Sequence, residues 1–497
     1  MNGHGKSDGP VVPAKRPNNV GAAPAAEVVE ERGPTKGNAD RPPRPARRGG
    51  QDVSHGLDRV REAARRDSKA RFTSLLHHVD VDRLRAAYRA INPRAAVGVD
   101  EVTWQQYGKD LEANLEDLHG RVHRGAFKAK PSRRVYIPKT DGRLRPLGIA
   151  ALEDKIVQRA VVEVLNAVYE TDFVGFSYGF RPGRGPHDAL DALSVGLKRK
   201  KINWVLDADI HSFFTEIDRE WMVRFVEHRI ADKRVLRLIR KWLAAGIIED
   251  GDWSDEGKGT PQGASVSPLL ANVYLHHVVD LWAKAWRTRY ATGDMIIIRF
   301  ADDVVVGFQH EGDARRFQDE LRQRLAKFNL ELAADKTRLI EFGRFAADNR
   351  RRRGLGRPET FAFLGFVHIC STTSSGGFLL RRHTMAQRMR TKLRELNVEL
   401  KRRRHLPLDV QGAWLASVVR GYYGYHAVPT NSRAMWRFRF EVVRLWRKAL
   451  ARRSQRGHIP WKRMYRIADR WLPRPQDQHP WPEVRFDGRT QGRSPVR

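Results

Sequence analysis

The feature that most constrains the fold is the segment 295–308, which has the sequence MIIIRFADDVVVGF. Two runs of β-branched residues flank an Ala-Asp-Asp centre. This pattern predicts a β-hairpin with both arms buried and its turn at an open cleft. Asp302 and Asp303 are adjacent carboxylates between apolar strands, where like charges repel and loss of water is costly. A divalent cation would remove both penalties, but on this segment alone a solvated Asp-Asp turn explains the pattern equally well.

A second acidic strand favours the cation. Residues 204–210 read WVLDADI, and the alternation of a β-strand places Val205, Asp207 and Asp209 on one face. A strand with two carboxylates on one face needs an unusual partner there. Asp209 beside Asp302 would form a site of hard oxygen ligands that suits Mg²⁺.

Composition favours a nucleic-acid partner and a reducing compartment. The chain of 497 residues has room for two or three domains, and its formal net charge is +34. Basic proteins without catalytic activity reach such charges too, but a globular chain this basic usually faces nucleic acid. The single cysteine, Cys370, excludes a disulfide within the chain and a Cys-rich zinc module. No segment has the length of a membrane span or the apolar core of a signal peptide, so we expect a cytosolic protein without a membrane partner.

Four segments resemble the sequence boxes of one enzyme family. Residues 295–308 resemble the Tyr/Phe-x-Asp-Asp box of reverse transcriptases, and residues 209–214 resemble their other metal-binding box, Asp-Ile-x-x-x-Phe. Residues 259–272 match the box that closes over the incoming nucleotide. The glycine-rich basic block 177–189 is characteristic of group II intron reverse transcriptases and close bacterial relatives. From about residue 70 to 490 the chain is similar to group II intron-encoded reverse transcriptase/maturases, in particular to the compact bacterial class without the zinc-containing endonuclease.

This resemblance implies an α+β right-hand polymerase. Its fingers and palm combine antiparallel sheet with helices, and an α-helical thumb/maturase domain follows. In that family the N-terminal extension grips the template backbone; a helical cap on the fingers is an equal alternative here. The expected organisation is a disordered basic tail, a helical extension, the fingers and palm, the thumb/maturase domain and a short basic tail, with the bounds 1–52, 53–127, 128–380, 381–486 and 487–497.

The resemblance also implies a function. The chain is expected to be an RNA-directed DNA polymerase that acts as a maturase, binding its group II intron RNA to assist splicing and copying it into DNA during retrohoming. Asp209, Asp302 and Asp303 would be catalytic and would hold two Mg²⁺ ions, with Mn²⁺ as a substitute. The Ile210 backbone would contact both the metal and the nucleotide. Expected partners are intron RNA, an RNA template–DNA primer duplex, a DNA target and dNTPs, in the bacterial cytosol near the nucleoid. The choice between monomer and dimer stays open.

Five further residues are candidates for binding the dNTP. Lys139 and Arg145 flank an Asp-Gly turn signal and would face each other across a hairpin, either clamping the triphosphate or forming a solvated edge. By resemblance, Gln262 contacts the nucleotide sugar and phosphates. Phe214 would be the steric gate that excludes a ribose 2′-OH, with a buried aromatic as the alternative. Lys336 resembles a lysine near the phosphates, and a surface lysine is equally plausible.

Arginines provide the expected contacts to nucleic acid. Arg181 and Arg184 would touch phosphates, unless they form salt bridges in a surface loop. Later in the chain, Arg437, Arg444 and Arg447 share a predicted helix whose apolar stripe is expected to face the core while the arginines follow a duplex. That stripe consists of Trp436, Phe440, Val443, Trp446 and Leu450.

Two other functions stay open. One is an RNA-binding splicing factor with a vestigial polymerase, against which the intact carboxylate set argues. The other is a related reverse transcriptase recruited to host defence.

Overall fold

A computed structural model of the protein describes residues 51–138, 144–249, 252–255, 257–260, 263–453 and 457–490. Most of the predicted N-terminal tail and the last seven residues of the C-terminal tail lie outside this range. Residues 51 and 52, and residues 487–490, were predicted as tail but belong to helices.

The N-terminal region is helical, as its apolar periodicity predicts. Asp80 caps one helix by accepting a hydrogen bond from the Arg83 N–H, and Thr103 with Gln106 forms a capping box at the next. The first of these helices packs on the long helix Leu152–Asp172, and the shared core includes the buried residues Leu84 and Leu115. The elements are α1 (Gln51–Arg66), α2 (Val81–Ala90), α3 (Trp104–Tyr107), α4 (Leu111–His123) and α5 (Leu152–Asp172), with 3₁₀ turns at Leu76–His78 and Gly108–Asp110.

The predicted basic hairpin is confirmed. Strands β1 (Ser132–Pro138) and β2 (Leu144–Ile149) are antiparallel, with Ile137 opposite Arg145. Its turn, with Lys139, lies outside the described residues. This sheet has the order β2-β1-β4-β5, and its other strands are β4 (Ile247–Glu249) and β5 (Asp252–Ser254).

The central sheet is antiparallel and separates two apolar cores. Its order is β6-β7-β3-β8, with strands β3 (Trp204–Asp209), β6 (Met295–Phe300), β7 (Asp303–Phe308) and β8 (Arg338–Glu341). Leu206 and Val306 pack on one side, whereas Val205 and Ile298 pack on the other. Because both faces are covered, the strands β6 and β7 consist mainly of β-branched runs, Ile296–Ile298 and Val304–Val306.

Helices cover both faces of this sheet. One long helix contains a π turn at His276–Asp280 between two α-helical segments, and such π turns often occur at functional sites. The helices are α6 (Pro186–Arg199), α7 (Phe213–Glu216), α8 (Arg219–Glu227), α9 (Lys233–Leu243), α10 (Ser267–Leu275), α11 (Leu281–Arg289), α12 (Glu311–Ala326) and α13 (Ala346–Arg352).

A small third sheet leads into the C-terminal helices. The first four helices after this sheet enclose their own core, which includes Leu400, Leu415 and Trp446. The α+β fold class is therefore confirmed. The elements are β9 (Phe361–Phe363), β10 (Phe366–Thr372), β11 (Phe378–Thr384), α14 (Ala386–Arg402), α15 (Leu408–His426), α16 (Ser432–Ala451), α17 (Trp461–Trp471) and α18 (Pro482–Thr490).

The predicted apolar stripe of α16 is partly wrong. Val443, Trp446 and Leu450 are buried as expected, but Trp436 and Phe440 are 50% and 47% exposed. The core beneath α16 is filled instead by neighbouring residues such as Phe438 and Val442, so the helix is apolar on more than its inner face. None of the helices in the described ranges is long and apolar enough to cross a membrane.

Candidate active site

Strand pairing brings the three predicted catalytic carboxylates to one end of the central sheet. Asp209, the last residue of β3, lies directly opposite Asp303, the first residue of β7. Phe300 pairs with Asp303, so that Ala301 and Asp302 form the hairpin turn. Ala301 has a φ of +55°, a left-handed conformation that is uncommon for a residue with a side chain. The surrounding structure must therefore hold this turn in place.

The local electrostatics favour protonation of the hairpin carboxylates. Loss of bulk water raises the pKa of Asp302 and of Asp303, and neighbouring carboxylates raise both further. Burial is also the main cause that raises the pKa of Asp207 to about 6. Asp303 is nevertheless exposed at the surface of the protein. The cluster is thus an accessible concentration of negative charge that a cation would stabilise.

Lys336 already supplies one positive charge to the cluster. Its Nζ donates to Asp209 Oδ2 at 2.5 Å, and this hydrogen bond is the main cause that raises the pKa of Lys336. Backbone hydrogen bonds also hold the segment before Lys336 against the end of β3. The Ala333 N–H donates to the Asp209 carbonyl, and the His211 N–H donates to the Glu331 carbonyl, both at 2.8 Å. Lys336 is half exposed, but it belongs to the carboxylate cluster and is not an unattached surface lysine.

The donor set suits a divalent metal ion, although it is not yet gathered around one point. Within the described ranges, no three acidic, histidine or cysteine side chains are grouped closely enough to hold a metal. The Lys336 ammonium is bound to Asp209 and so occupies a position that a metal ion held by Asp209 would take. Carboxylate oxygens are the ligands that Mg²⁺ prefers, and a bound ion would offset the repulsion that raises the Asp302 and Asp303 pKa values. The residues fit such an ion if Lys336 releases Asp209.

The predicted gate residue, Phe214, lies beside the loop that contains Gly257 and Gly259, which we call the glycine-rich loop. Phe214, in α7, is half-buried and packs edge-on against Phe213. Its carbonyl accepts a hydrogen bond from the Thr260 N–H at 2.8 Å. Gly259 has a φ of +78°, and a Cβ there would lie 2.8 Å from the Thr215 carbonyl oxygen, so only glycine fits. Gln262, the nucleotide contact expected in this loop, lies outside the described residues.

Arg145 is the described member of the predicted triphosphate clamp. It lies on β2, and its positive charge acts to lower the pKa of Asp302 against the larger effect of burial. Its predicted partner Lys139 lies outside the described residues. After β3, the backbone pairs with the segment 331–333 through the Asp209 carbonyl and the His211 N–H. The Ile210 carbonyl, the predicted metal and nucleotide contact, accepts neither of these two hydrogen bonds.

A buried arginine beneath the hairpin turn was missed by sequence reasoning. Arg299 is fully buried and donates to both carboxylate oxygens of Asp280, each at 2.6 Å. It also donates to the Ala301 carbonyl at 2.9 Å, directly at the turn. Asp280 is presented by the π turn. The signal was present in the sequence, since an arginine inside a β-branched run requires a buried acidic partner.

The glycine-rich block supports the same turn from the other side. Ser177 Oγ accepts a hydrogen bond from Arg299 at 2.7 Å, and the Tyr178 N–H donates to the Arg299 carbonyl. A Cβ on Gly179 would lie 2.3 Å from the Ala301 nitrogen, so the two backbones are in direct contact. Asn272 joins them, because its amide donates to the Gly179 carbonyl and its oxygen accepts from Arg299.

The arginines of that block face inward. Arg181 is 6% exposed and donates to Glu170 and to the carbonyls of Val174 and Ser177. Arg184 is half-buried and donates to carbonyls of the same block. Their guanidinium groups bind partners within the chain, as the salt-bridge alternative expects for Arg181, and the phosphate contacts of Arg181 and Arg184 stay a prediction.

The three arginines of α16 differ from one another. Arg437 and Arg444 are exposed, and Arg444 pairs with Glu441 on its own helix. Arg447 is half-buried, donates to the Ile459 carbonyl at 2.8 Å and lies over the Trp461 ring. Two of the three predicted outward charges are therefore directed to solvent.

Comparison with known proteins finds similarity in the same region. Residues 137–368 match the family described as reverse transcriptase (RNA-dependent DNA polymerase). Protein YkfC of Escherichia coli (strain K12) is 38% identical over 182 residues, which is 36% of this chain and 48% of that protein. The group II intron-encoded protein LtrA of Lactococcus lactis subsp. cremoris is 39% identical over 168 residues, 34% of this chain and 28% of LtrA. Nuclear intron maturase 3, mitochondrial, of Arabidopsis thaliana is 24% identical over 213 residues, 39% of this chain and 28% of the maturase. The chain thus spans less than half the length of each of these relatives.

Proposed function

Because residues 137–368 match the reverse transcriptase family, we propose that this chain is an RNA-directed DNA polymerase that also acts as a maturase for a group II intron RNA. The observation that carries the proposal is the cross-strand pairing of Asp209 with Asp303 next to Asp302 in the hairpin turn. The similarity to an intron-encoded protein and to an intron maturase supports the second activity.

The proposed reaction is nucleotidyl transfer. The primer 3′-oxygen attacks the α-phosphorus of the dNTP, the bond to the β-phosphate breaks, and pyrophosphate leaves. Asp209, Asp302, Asp303 and the Ile210 carbonyl would hold two Mg²⁺ ions, with Mn²⁺ as a substitute. Bound divalent ions lower the pKa of the attacking hydroxyl and neutralise charge on the leaving group.

The other candidate residues would orient the substrate. Arg145, Lys139 and Gln262 would bind the triphosphate. The Phe214 ring would lie against the sugar and exclude a 2′-OH. Lys336, once released from Asp209, would reach the departing pyrophosphate with a charged ammonium that can donate a proton.

The proposed macromolecular partners are intron RNA, an RNA template–DNA primer duplex and a DNA target. The net charge of +34 supports this, and so do the outward arginines Arg437 and Arg444 on α16. We place the activity in the bacterial cytosol, near the nucleoid.

Primer extension tests the polymerase. Asp302→Asn should slow DNA synthesis on an RNA template by about a thousandfold or more, because loss of one metal-binding charge removes several kcal/mol of transition-state stabilisation. Binding of intron RNA should persist. Asp319→Asn, an exposed carboxylate on α12 paired only with its own helix neighbour Arg322 in the described structure, is the matched control. Extension by the Asp302 variant near the wild-type rate would contradict the site assignment.

The same variants separate the alternatives. A vestigial polymerase predicts that the wild-type protein binds and helps to splice intron RNA without extending a primer. A defence-type enzyme predicts extension without any preference for intron RNA over an unrelated structured RNA of equal length.

A further inference from the structure

Four aromatic side chains form a surface strip on α16 and α17. Trp436 and Phe440 lie one turn apart on α16, while Trp461 and Tyr465 lie one turn apart on α17. The Phe440 and Trp461 rings are nearly parallel, at 11° with centroids 6.2 Å apart, and the Trp461 and Tyr465 rings are 5.4 Å apart. Trp436, Phe440 and Tyr465 are 50%, 47% and 42% exposed. We call these four residues the aromatic strip.

Three rings of the strip lie outside the core of these helices, and Trp461 packs against the edge of that core. The inner faces of α16 and α17 are closed by Met435, Phe438, Trp446 and Met464, all of which are fully buried. Three large rings remain at the surface, where they contribute little to folding. Large aromatic side chains grouped at a surface commonly mark a binding site.

The charges around the strip identify the kind of ligand. The helices α16 and α17 together contain ten basic and two acidic residues. Arg447 lies with its guanidinium 4.5 Å from the centroid of the Trp461 ring and holds that ring in place. Exposed Arg437 and Arg466 directly follow Trp436 and Tyr465 in the sequence. A matching ligand has flat rings that stack on the aromatic side chains and negative groups that bind the positive charges. Unpaired nucleobases joined by phosphates have both properties.

Other ligands match less well. A fully paired duplex presents phosphates and base edges but hides the faces of its bases, so it gives exposed rings nothing to stack on. A second copy of the chain would bring two positively charged surfaces together and would be repelled.

We propose that the aromatic strip is a stacking platform for unpaired bases of RNA, in a loop or single-stranded segment of the RNA that this chain binds. The proposal rests on the RNA binding proposed above and adds that part of this binding is directed at bases. Each exposed ring stacks one base, and the neighbouring arginines contact the phosphates on either side.

The experiment compares aromatic with charge variants on two RNAs. Trp436→Ala combined with Phe440→Ala should weaken binding of a single-stranded RNA by at least about tenfold, because each stacked base contributes roughly fivefold or more. For this double variant, the slope of log affinity against log salt should equal the slope of the wild-type protein. In contrast, Arg437→Ala should reduce that slope by up to about one unit and should cause only a modest loss of affinity at low salt. A blunt-ended duplex RNA of equal charge should bind the aromatic variant within about twofold of wild type.

Three controls sharpen the test. Tyr290→Ala removes a 52% exposed aromatic remote from the strip in sequence and should leave both affinities unchanged. Trp436→Phe with Phe440→Tyr keeps two rings and should restore binding of single-stranded RNA. A 2-aminopurine base in that RNA should be quenched on binding wild type, and the quenching should be lost with the double alanine variant.

The outcomes separate the two proposals. Equal weakening on both RNAs, or no weakening on either, would overturn the stacking platform. So would a change in self-association, measured by sedimentation, with RNA binding unaltered, since the strip would then be a protein interface. Failure of the wild-type protein to extend a primer would overturn the proposed polymerase but not the binding results, which require no catalysis.

Discussion

Arg299 shows that a single buried side chain can set the position of a catalytic turn. It donates to Asp280 through a two-pronged ion pair and to the Ala301 carbonyl, which belongs to the residue before Asp302. Ala301 is held in a left-handed conformation at that point. Arg299 does not reach the cleft, so it is a positioning residue whose effect on chemistry passes through the backbone of the hairpin.

The first prediction at this scale concerns Arg299→Lys. Lysine keeps the charge but lacks the planar fork that binds Asp280 and the turn together. We expect primer extension to fall by about a hundredfold, because displacement of catalytic groups by about 1 Å costs roughly that much. The dNTP concentration for half-maximal rate should change little, since the triphosphate contacts remain.

Single-turnover kinetics over a range of dNTP concentrations measures both quantities. Arg315→Lys, in an exposed pair with Glu311, is the matched control. A lysine variant with the wild-type rate constant would show that the turn keeps its position without the fork.

Sequence reasoning found the carboxylates at this scale and missed their support. Asp209 and Asp303 are the end residues of short strands, and Asp302 lies in the turn next to Asp303, so local patterns are enough to bring them together. The role of Arg299 depends on Asp280, which lies 19 residues earlier inside a helix whose π turn has no clear sequence signal. Long-range pairing of a buried charge cannot be read from local periodicity.

At the scale of elements, the glycine-rich loop depends on close contact with α7. Gly259 donates its N–H to the Ile217 carbonyl at 2.7 Å, and the Thr260 N–H reaches Phe214. The loop therefore shares hydrogen bonds with the residue expected to line the sugar pocket. Any group that separates the loop from α7 must also shift Phe214 or the backbone next to it.

Gly259→Ala is the prediction for this element. A Cβ would lie 2.8 Å from the Thr215 carbonyl oxygen, so the loop must move away from α7. We expect the KM for dNTPs to rise about tenfold, because groups that position the substrate lose their alignment. The measurement is steady-state primer extension at saturating template.

The matched control is Gly257→Ala. Gly257 has a φ of +69°, close to the +78° of Gly259, but a Cβ there meets no atom within 4 Å. Both variants carry similar backbone strain, of about 1 kcal/mol. A rise in KM of equal size in both would mean that strain, and not contact with α7, controls the loop.

The strands were predictable from local sequence, but the inner face of an apolar helix was not. The hairpin of β6 and β7 follows from its β-branched runs, and the strand β3 follows from its alternation. Helix α16 carries apolar residues around much of its circumference, and periodicity alone does not say which of them face inward. Trp436 and Phe440 were therefore assigned to the core but lie at the surface.

The stability of the whole molecule should depend on pH through the carboxylate cluster. The folded-state pKa values of Asp302, Asp303 and Asp207 are raised above the usual value for an aspartate. The folded protein then binds more protons than the unfolded chain as pH rises above about 4. Unfolding free energy should accordingly fall with rising pH, at most by about 1.4 kcal/mol per pH unit for each proton concerned.

The test compares thermal unfolding of wild type and Asp303→Asn without divalent ions from pH 5 to pH 9. The wild-type Tm should decline across the range in which the cluster loses protons, and the variant should decline less and melt higher at pH 8. Added Mg²⁺ should raise the wild-type Tm more at pH 8 than at pH 6, because ion and protons compete for the same oxygens. Parallel profiles for the two proteins would contradict the raised pKa values.

The last helix, α18, returns to the central region and pairs with α6. Arg485 binds the buried Asp191, and Arg199 pairs with Asp487. The C-terminal helices are therefore attached through the strand β11 that precedes α14, through α18, and also at the end of α15. There the Tyr425 hydroxyl donates to the Leu364 carbonyl at 2.7 Å, and the nearby Asn431 amide donates to Thr384 Oγ1 at 2.8 Å. A body held at three separate points keeps its orientation, so we expect helices α14 to α17 to keep a fixed position relative to the central sheet.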